Sequence, residues 1–233
     1  MNIKVFASSS SGNCYLMQSG GINFLLDCGI KKSELITKLA QEKLTITDLE
    51  FCLISHEHND HSALSEYLSK FINVYSCYSN AYVKKIDSNK LLKIGNIRII
   101  PFNVKHGKTE NYGYIINDGI DNLLFATDCN LIEYNFSIPF TKIMIECNYM
   151  DSLLDMDNEK EIRQANTHMS LENLKIHLSR MNLHHCKEIY LLHLSDECSD
   201  EKIMQAQIQS LTHCKTNIAL KKGGVNYGPS QMD

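Results

Sequence analysis

An α+β architecture, two packed sheets flanked by helices, is the fold this sequence predicts. Short β-like runs crowd its first half and return near its end, with helical segments between them. No glycine-rich strand-to-helix turn opens the chain. The serine run at 8–11 is followed by one glycine, Gly12, and then by another strand, which speaks against a doubly wound nucleotide fold. The length of 233 residues, 43% of them hydrophobic and 21% charged, is that of a globular chain able to bury a core without disulfides or a structural metal. Repeats, low-complexity stretches and Pro/Gly-rich linkers are absent, so a single domain over 1–233 is expected.

The elements follow in order. Apolar, β-branched runs at 3–6, 14–18 and 22–26 read as strands, with Gly20-Gly21 as the hairpin turn between the last two. Leu35, Ile36, Leu39 and Ala40 recur at helical spacing across 32–43. A strand at 51–54 precedes a helix over 62–71, marked by Leu64, Tyr67, Leu68 and Phe71. Strands follow at 74–77, 97–101, 112–116 and 123–126, with Asp118-Gly119 in the loop before the last. Ser170 caps a helix over 171–181 with Glu172 in its first turn. A strand at 189–192, a helix at 201–211 and a strand at 218–220 complete the set, and Gly223 onwards reads as a loop or tail.

Composition removes several classes of function. Against 27 acidic residues stand 23 basic ones, only three of them arginine, so the net charge of −4 gives no support to gripping long duplex nucleic acid. The nine cysteines form no C-x-x-C pair and sit beside apolar residues, as buried thiols of a reducing cytosol do. The opening Met1-Asn2-Ile3-Lys4 has no secretory pattern, and no apolar run approaches ~18 residues. A cytoplasmic protein that makes no membrane contact is expected.

The chemistry lies in His56-Glu57-His58-Asn59-Asp60-His61. Three histidines and an aspartate within six residues arise by composition with odds on the order of 10⁻³. On an extended segment His56 and His58 point the same way and can reach one metal, while Asp60 and His61 can reach a second. The bland alternative is a solvated loop capping the next helix. Four apolar strands also run toward metal-capable side chains: 51–54 into His56, 99–102 toward His106, 123–126 toward Asp128, and 189–192 into His193. Strand ends on one rim can converge. Imidazole and carboxylate donors suit Zn²⁺ or similar borderline ions.

His56-x-His58-x-Asp60-His61 with His106, Asp128 and His193 resembles the metallo-β-lactamase superfamily in its phosphodiesterase branch. The resemblance implies a four-layer αββα sandwich. One metal would lie on His56, His58 and His106, a second on Asp60, His61 and His193, with Asp128 bridging, and Asp27 would orient a ligand histidine. The metals would be two Zn²⁺, with Mn²⁺ as the alternative.

The segments at 7–13, 54–58, 126–128, 146–148, 168–170 and 193–195 further resemble the YycJ-like exonucleases, relatives of ribonuclease Z. That likeness implies phosphodiester cleavage by a metal-activated hydroxide. Asp60 and Asp128 would be catalytic carboxylates, His168 would assist with Glu146 behind it, and Asn148 and His168 would meet substrate. Otherwise His168 caps the helix from Leu171. A homodimer is also implied.

The chain departs from the YycJ-like pattern at Ser9, Ser10, Ser11, Asn130 and Tyr149, and its 148–168 stretch is shorter. With the acidic balance, this keeps a cyclic nucleotide open as the alternative substrate. Thiolesterases share the ligand set, and a non-catalytic, metal-stabilised module is the reading from outside enzymes. Cys129 would point away from Asp128. His177, His184, His185 and His213 read as surface or helix-end residues, and Lys84, Lys85, Lys105, Lys108, Lys221 and Lys222 as solvated or as guides for an anion.

Overall fold

A strand that is apolar at every position, not at every second one, must be covered on both faces, and the strands near the middle of this chain are of that kind. The computed structural model describes residues 1–227. The first sheet opens with an antiparallel meander of β1 (Asn2–Ser9), β2 (Gly12–Ser19) and β3 (Ile22–Cys28). Gly20 and Gly21 make its second turn at φ of +57° and +82°, the twist that a two-residue hairpin needs and that β-carbons resist. Helix α1 (Lys32–Gln41) crosses to β4 (Leu49–Leu53). After the short turns α2 (Asn59–Ser62) and α3 (Ser65–Leu68), β5 (Asn73–Ser76) and β6 (Lys84–Lys85) complete six strands.

The second sheet has eight. Strands β7 (Leu92–Ile94), β8 (Ile97–His106), β9 (Thr109–Asn117) and β10 (Asn122–Ala126) are antiparallel. Beyond β10 the sheet continues in parallel through β11 (Lys142–Glu146), β12 (Glu188–Leu192) and β13 (Lys215–Ala219). Helices α4 (Glu159–Thr167) and α5 (Leu171–Ser179) lie between β11 and β12, and α6 (Glu201–Thr212) leads from β12 to β13. Strand β14 (Val225–Tyr227) closes the edge antiparallel to β13.

Alternation along the strands sorts the side chains into three cores. Val5, Tyr15, Phe24, Leu26, Phe51 and Leu53 of the first sheet face Ile99, Tyr114, Phe125, Met144 and Leu192 of the second. Their neighbours Leu16, Leu25 and Cys52 turn the other way, onto Leu35 and Leu39 of α1 and Leu68 of α3. On the far face of the second sheet, Leu124, Ile143, Ile145 and Leu191 meet Leu174 and Leu178 of α5 and Met204 and Ile208 of α6. Helix, sheet, sheet and helix are therefore four layers, the αββα sandwich expected. All nine cysteines are free thiols; only Cys186 is not fully buried.

Several elements differ from the sequence reading. The helix expected over 62–71 is two single turns, because the Asp60 carbonyl presses on Gly29 and Leu64 donates its N–H to Cys28 O at 3.0 Å. Residues after Gly223 are not all tail: 225–227 add a strand, and the rest of that segment lies outside the described residues. Strand β11 and helix α4 are additional. The nine residues of α4 carry few apolar side chains, so periodicity gave no signal. It is fixed instead by its Asn158 N-cap and by buried Glu161, which accepts from Asp155 N (2.6 Å) and Asn158 Nδ2 (2.9 Å).

The ends of β3, β4, β8, β10, β11 and β12 lie beside the residues of interest: Asp27, His56, His106, Asp128, Glu146 and His193. A β-carbon on Gly29 would lie 1.7 Å from the Asp60 carbonyl oxygen. Gly29→Ala should therefore displace the 56–61 loop and lower stability by about 3 kcal/mol, the upper range for overpacking. A melting curve unchanged from wild type would show that the loop is not wedged there.

Candidate metal centre

His56, His58 and His106 present one nitrogen each to a common point, and Asp60, His61, Asp128 and His193 do the same beside it. Within each group the candidate ligand atoms lie within 4.8 Å of one another. His56 follows β4, His106 ends β8, and Asp128 and His193 follow β10 and β12. Asp27, Asp128 and His193 all have positive φ (56°, 50° and 56°), three of the six non-glycine residues in that region among those described. Such backbone costs about 1–3 kcal/mol per residue and persists where surrounding contacts over-determine it.

The contacts are specific. Asp128 faces both groups: its Oδ1 lies 3.2 Å from His61 Nε2 and 3.6 Å from His193 Nδ1, and its Oδ2 lies 4.0 Å from His106 Nε2. Asp60 Oδ2 is 3.2 Å from His61 Nε2, and His56 Nε2 is 2.9 Å from His58 Nδ1. Several rings are tethered by the nitrogen turned away. His61 Nδ1 meets Asp27 Oδ2 at 2.8 Å, and the other Asp27 oxygen accepts from Ser55 N at 2.7 Å. His106 Nδ1 donates to the carbonyl of Thr167, in the last turn of α4, at 3.0 Å. An imidazole anchored this way presents a fixed lone pair inward, as metal-binding histidines do.

Burial and charge act together. Burial and the nearby His61 hold His56 well below the ordinary imidazole range, and burial lowers His106. For His61, burial opposes the charged form, but Asp128 and Asp27 outweigh it and hold the ring well above that range. Asp128 is likewise pulled well below the usual carboxylate range: burial works against this, and His193 and His61 prevail. Among the described residues, His193 Nε2 is buried with no hydrogen-bond partner. An orphaned buried nitrogen costs about 1–3 kcal/mol in a purely structural cluster. With imidazole and carboxylate donors and no thiol converging beside it, the set fits a borderline divalent cation.

Beside this cluster, His168 Nδ1 donates to Glu146 Oε1 at 2.7 Å. The carboxylate is itself fixed, its Oε2 accepting from Cys129 N (2.7 Å) and Met169 N (3.2 Å) and its Oε1 lying 3.1 Å from His193 Nδ1. Burial works against protonation of His168, but Glu146 raises it to about 9. His168 does not cap α5; Ser170 does, accepting from Asn173 N. Asn148 lines the cleft, yet its amide is engaged at both ends, donating to His193 O at 2.5 Å and accepting from Gln164 Nε2 at 2.6 Å.

Residues the sequence reading assigned no role also brace the centre. Ser8 Oγ accepts from His193 N (3.0 Å), and Asn13 Nδ2 lies 3.1 Å from His61 Nε2. Both are almost completely buried in an otherwise apolar meander, and polarity at such positions was the available signal. Thr167 and Gln164 had none, since α4 was not foreseen. Cys129 turns into the outer core, away from the cluster. The other histidines stay outside it: His184, His185 and His213 are exposed, and His177 is half-buried, edge-on to Phe136.

The family model described as Metallo-beta-lactamase superfamily matches residues 9–90. The chain is similar to Exodeoxyribonuclease WalJ of Streptococcus pneumoniae, 25% identical over 219 residues, covering 83% of this chain and 81% of that protein. It is also 23% identical over 218 residues to Exodeoxyribonuclease YycJ of Bacillus anthracis, covering 84% and 83%. Among solved structures, the metallo-beta-lactamase fold protein YhfI of Bacillus subtilis superposes with a TM-score of 0.71 at 21% identity, over 97% of this chain and 99% of that one.

Because Asp27 holds both His61 and the Ser55 N–H, Asp27→Ala should strand two buried donors. Metal affinity, measured by competition with a chelator, should fall about 10- to 100-fold. The melting midpoint should fall with it. Unchanged affinity would mean that His61 is oriented by other contacts.

Proposed function

From a metallo-β-lactamase-fold chain of that superfamily's nuclease branch, we propose a metal-dependent hydrolase of nucleic-acid phosphodiesters. One observation carries the reading: a three-histidine group and an Asp60, His61, Asp128 and His193 group sit side by side at one cleft of about 770 Å³, with Asp128 Oδ2 4.0 Å from His106 Nε2. His56, His58 and His106 would hold one divalent ion and Asp60, His61 and His193 a second, with Asp128 between them; zinc suits the donors, and manganese is the alternative. When bound, such a pair supplies Lewis acidity toward phosphoryl oxygens and lowers the pKa of water to about 7.

The chain's own groups do the remaining work. Asp128 and Asp60 carry negative charge into a histidine-lined floor and accept a hydrogen bond from the attacking water. His168 gives its Nδ1 to Glu146, so Nε2 is the atom left to meet substrate, and its protonated form can donate to the leaving oxygen. Asn148 keeps His193 in register with both. A nucleic-acid substrate is preferred to a cyclic nucleotide because the relatives are named exodeoxyribonucleases.

Hydrolysis of bis-p-nitrophenyl phosphate should vanish with a chelator and return with zinc or manganese. Asp128→Ala should lose turnover and bound metal together, read by rate assay and elemental analysis. In contrast, His168→Ala should keep its metal and slow the reaction by ~10²–10⁴-fold, the usual worth of a general acid. Full activity in that variant would remove the role given to His168. Metal-replete protein inert toward every phosphodiester, yet unfolded by chelation, would leave the centre as a structural one.

A further inference from the structure

The cleft is larger than a single phosphodiester requires, and its wall carries charge that the ligand cluster does not use. Lys108, Lys160, Arg163, Asp196 and Glu197 all line it. Most of these are already neutralised: Lys160 pairs with Glu197 at 2.7 Å, and Lys221 pairs with Asp196. Lys108 and Arg163 are exposed and, among the described residues, have no such partner. They are the cations of the wall that no described carboxylate balances.

Their placement is set by the architecture of the centre. Lys108 lies two residues beyond His106, in the turn between β8 and β9. Arg163 lies one helical turn before Thr167, whose carbonyl holds the His106 ring. Gly107 keeps the turn close to the helix: a β-carbon there would lie 3.3 Å from Thr167 Cγ2, and its φ is +55°. Both residues therefore belong to one joint, line the same cleft and lie outside the ligand set. A guanidinium and an ammonium are the groups suited to phosphate oxygens.

We propose that Lys108 and Arg163 form a clamp for a phosphate next to the scissile one, so that the preferred substrate is an oligonucleotide strand. This rests on the phosphodiester reading of the cleft and extends it. A cyclic mononucleotide has one phosphate, which the centre itself engages, and nothing for the clamp to hold. A strand offers the neighbouring group as an internal phosphodiester or as a terminal monoester. Overall acidity is no obstacle, because two local contacts on a single strand do not need a basic protein.

The test uses three thymidine substrates: TpT with one phosphate, pTpT with an added terminal monoester, and TpTpT with an added internal diester. For wild type, kcat/KM should rise about tenfold from TpT to a two-phosphate substrate, and the one that gains identifies the source of the second phosphate. The Lys108→Ala/Arg163→Ala double variant should lose that gain while cleaving TpT and bis-p-nitrophenyl phosphate as wild type does. Independently of cleavage, the anisotropy of fluorescein-labelled, phosphorothioate-linked dT6 on metal-loaded protein should show weaker binding in the variant. The slope of log affinity against log salt should become shallower by roughly 1.4, about 0.7 per lost contact on a single strand. Equal loss on all substrates, or an unchanged salt slope, overturns the clamp. Charge-dependent dT6 binding without cleavage of any phosphodiester upholds the clamp and overturns the hydrolase reading.

Discussion

Imidazole rings can share a small buried space only if contacts from outside that space hold them in place. That requirement orders much of this molecule. Asp27 holds His61, a helix-end carbonyl holds His106, and Asn148 and Ser8 hold the His193 backbone. Each tether comes from a different element, so the rings stay in place only while both sheets and α4 are assembled. The sandwich can be understood as a frame that brings six strand ends to one rim and supplies hydrogen-bond partners behind them.

Asp128 is where the competing demands meet. A carboxylate buried to this extent is unfavourable in isolation, and a crowd of imidazoles is unfavourable in the opposite sense. Side by side, each relieves the other, which is why Asp128 is driven toward its anion and His61 toward its cation. Left-handed backbone at Asp128 and His193 is a further cost accepted to keep their side chains on the rim. Stability is given up locally so that the donors converge.

Much of this could be read from the sequence where chemistry and pattern coincide. The histidine-rich run at 56–61, and apolar strands ending near His106, Asp128 and His193, pointed to the side chains that cluster and to the layers. Residues acting through backbone atoms could not be read. Thr167 contributes a carbonyl, which any amino acid carries, and Gly29 contributes the absence of a side chain. Helix α4 escaped because polar hydrogen bonds fix it rather than an apolar stripe, and the expected helix at 62–71 broke because a tertiary contact, Cys28 O, took the Leu64 N–H donor. Asn148, expected to meet substrate, lies beside the cleft with its amide engaged by His193 and Gln164, which its position in the sequence does not reveal.

The bond from His106 to the last turn of α4 has a thermodynamic consequence. Helix ends fray, and a frayed α4 would release the ring from its fixed orientation. Anything that orders α4 from the solvent side therefore also fixes the orientation of the His106 ring. By linkage, whatever factor a polyanion on that helix adds to ion affinity, the ion must return to polyanion affinity. On the proposed reading, a bound cation and a nucleic-acid strand would then reinforce each other through one short piece of backbone.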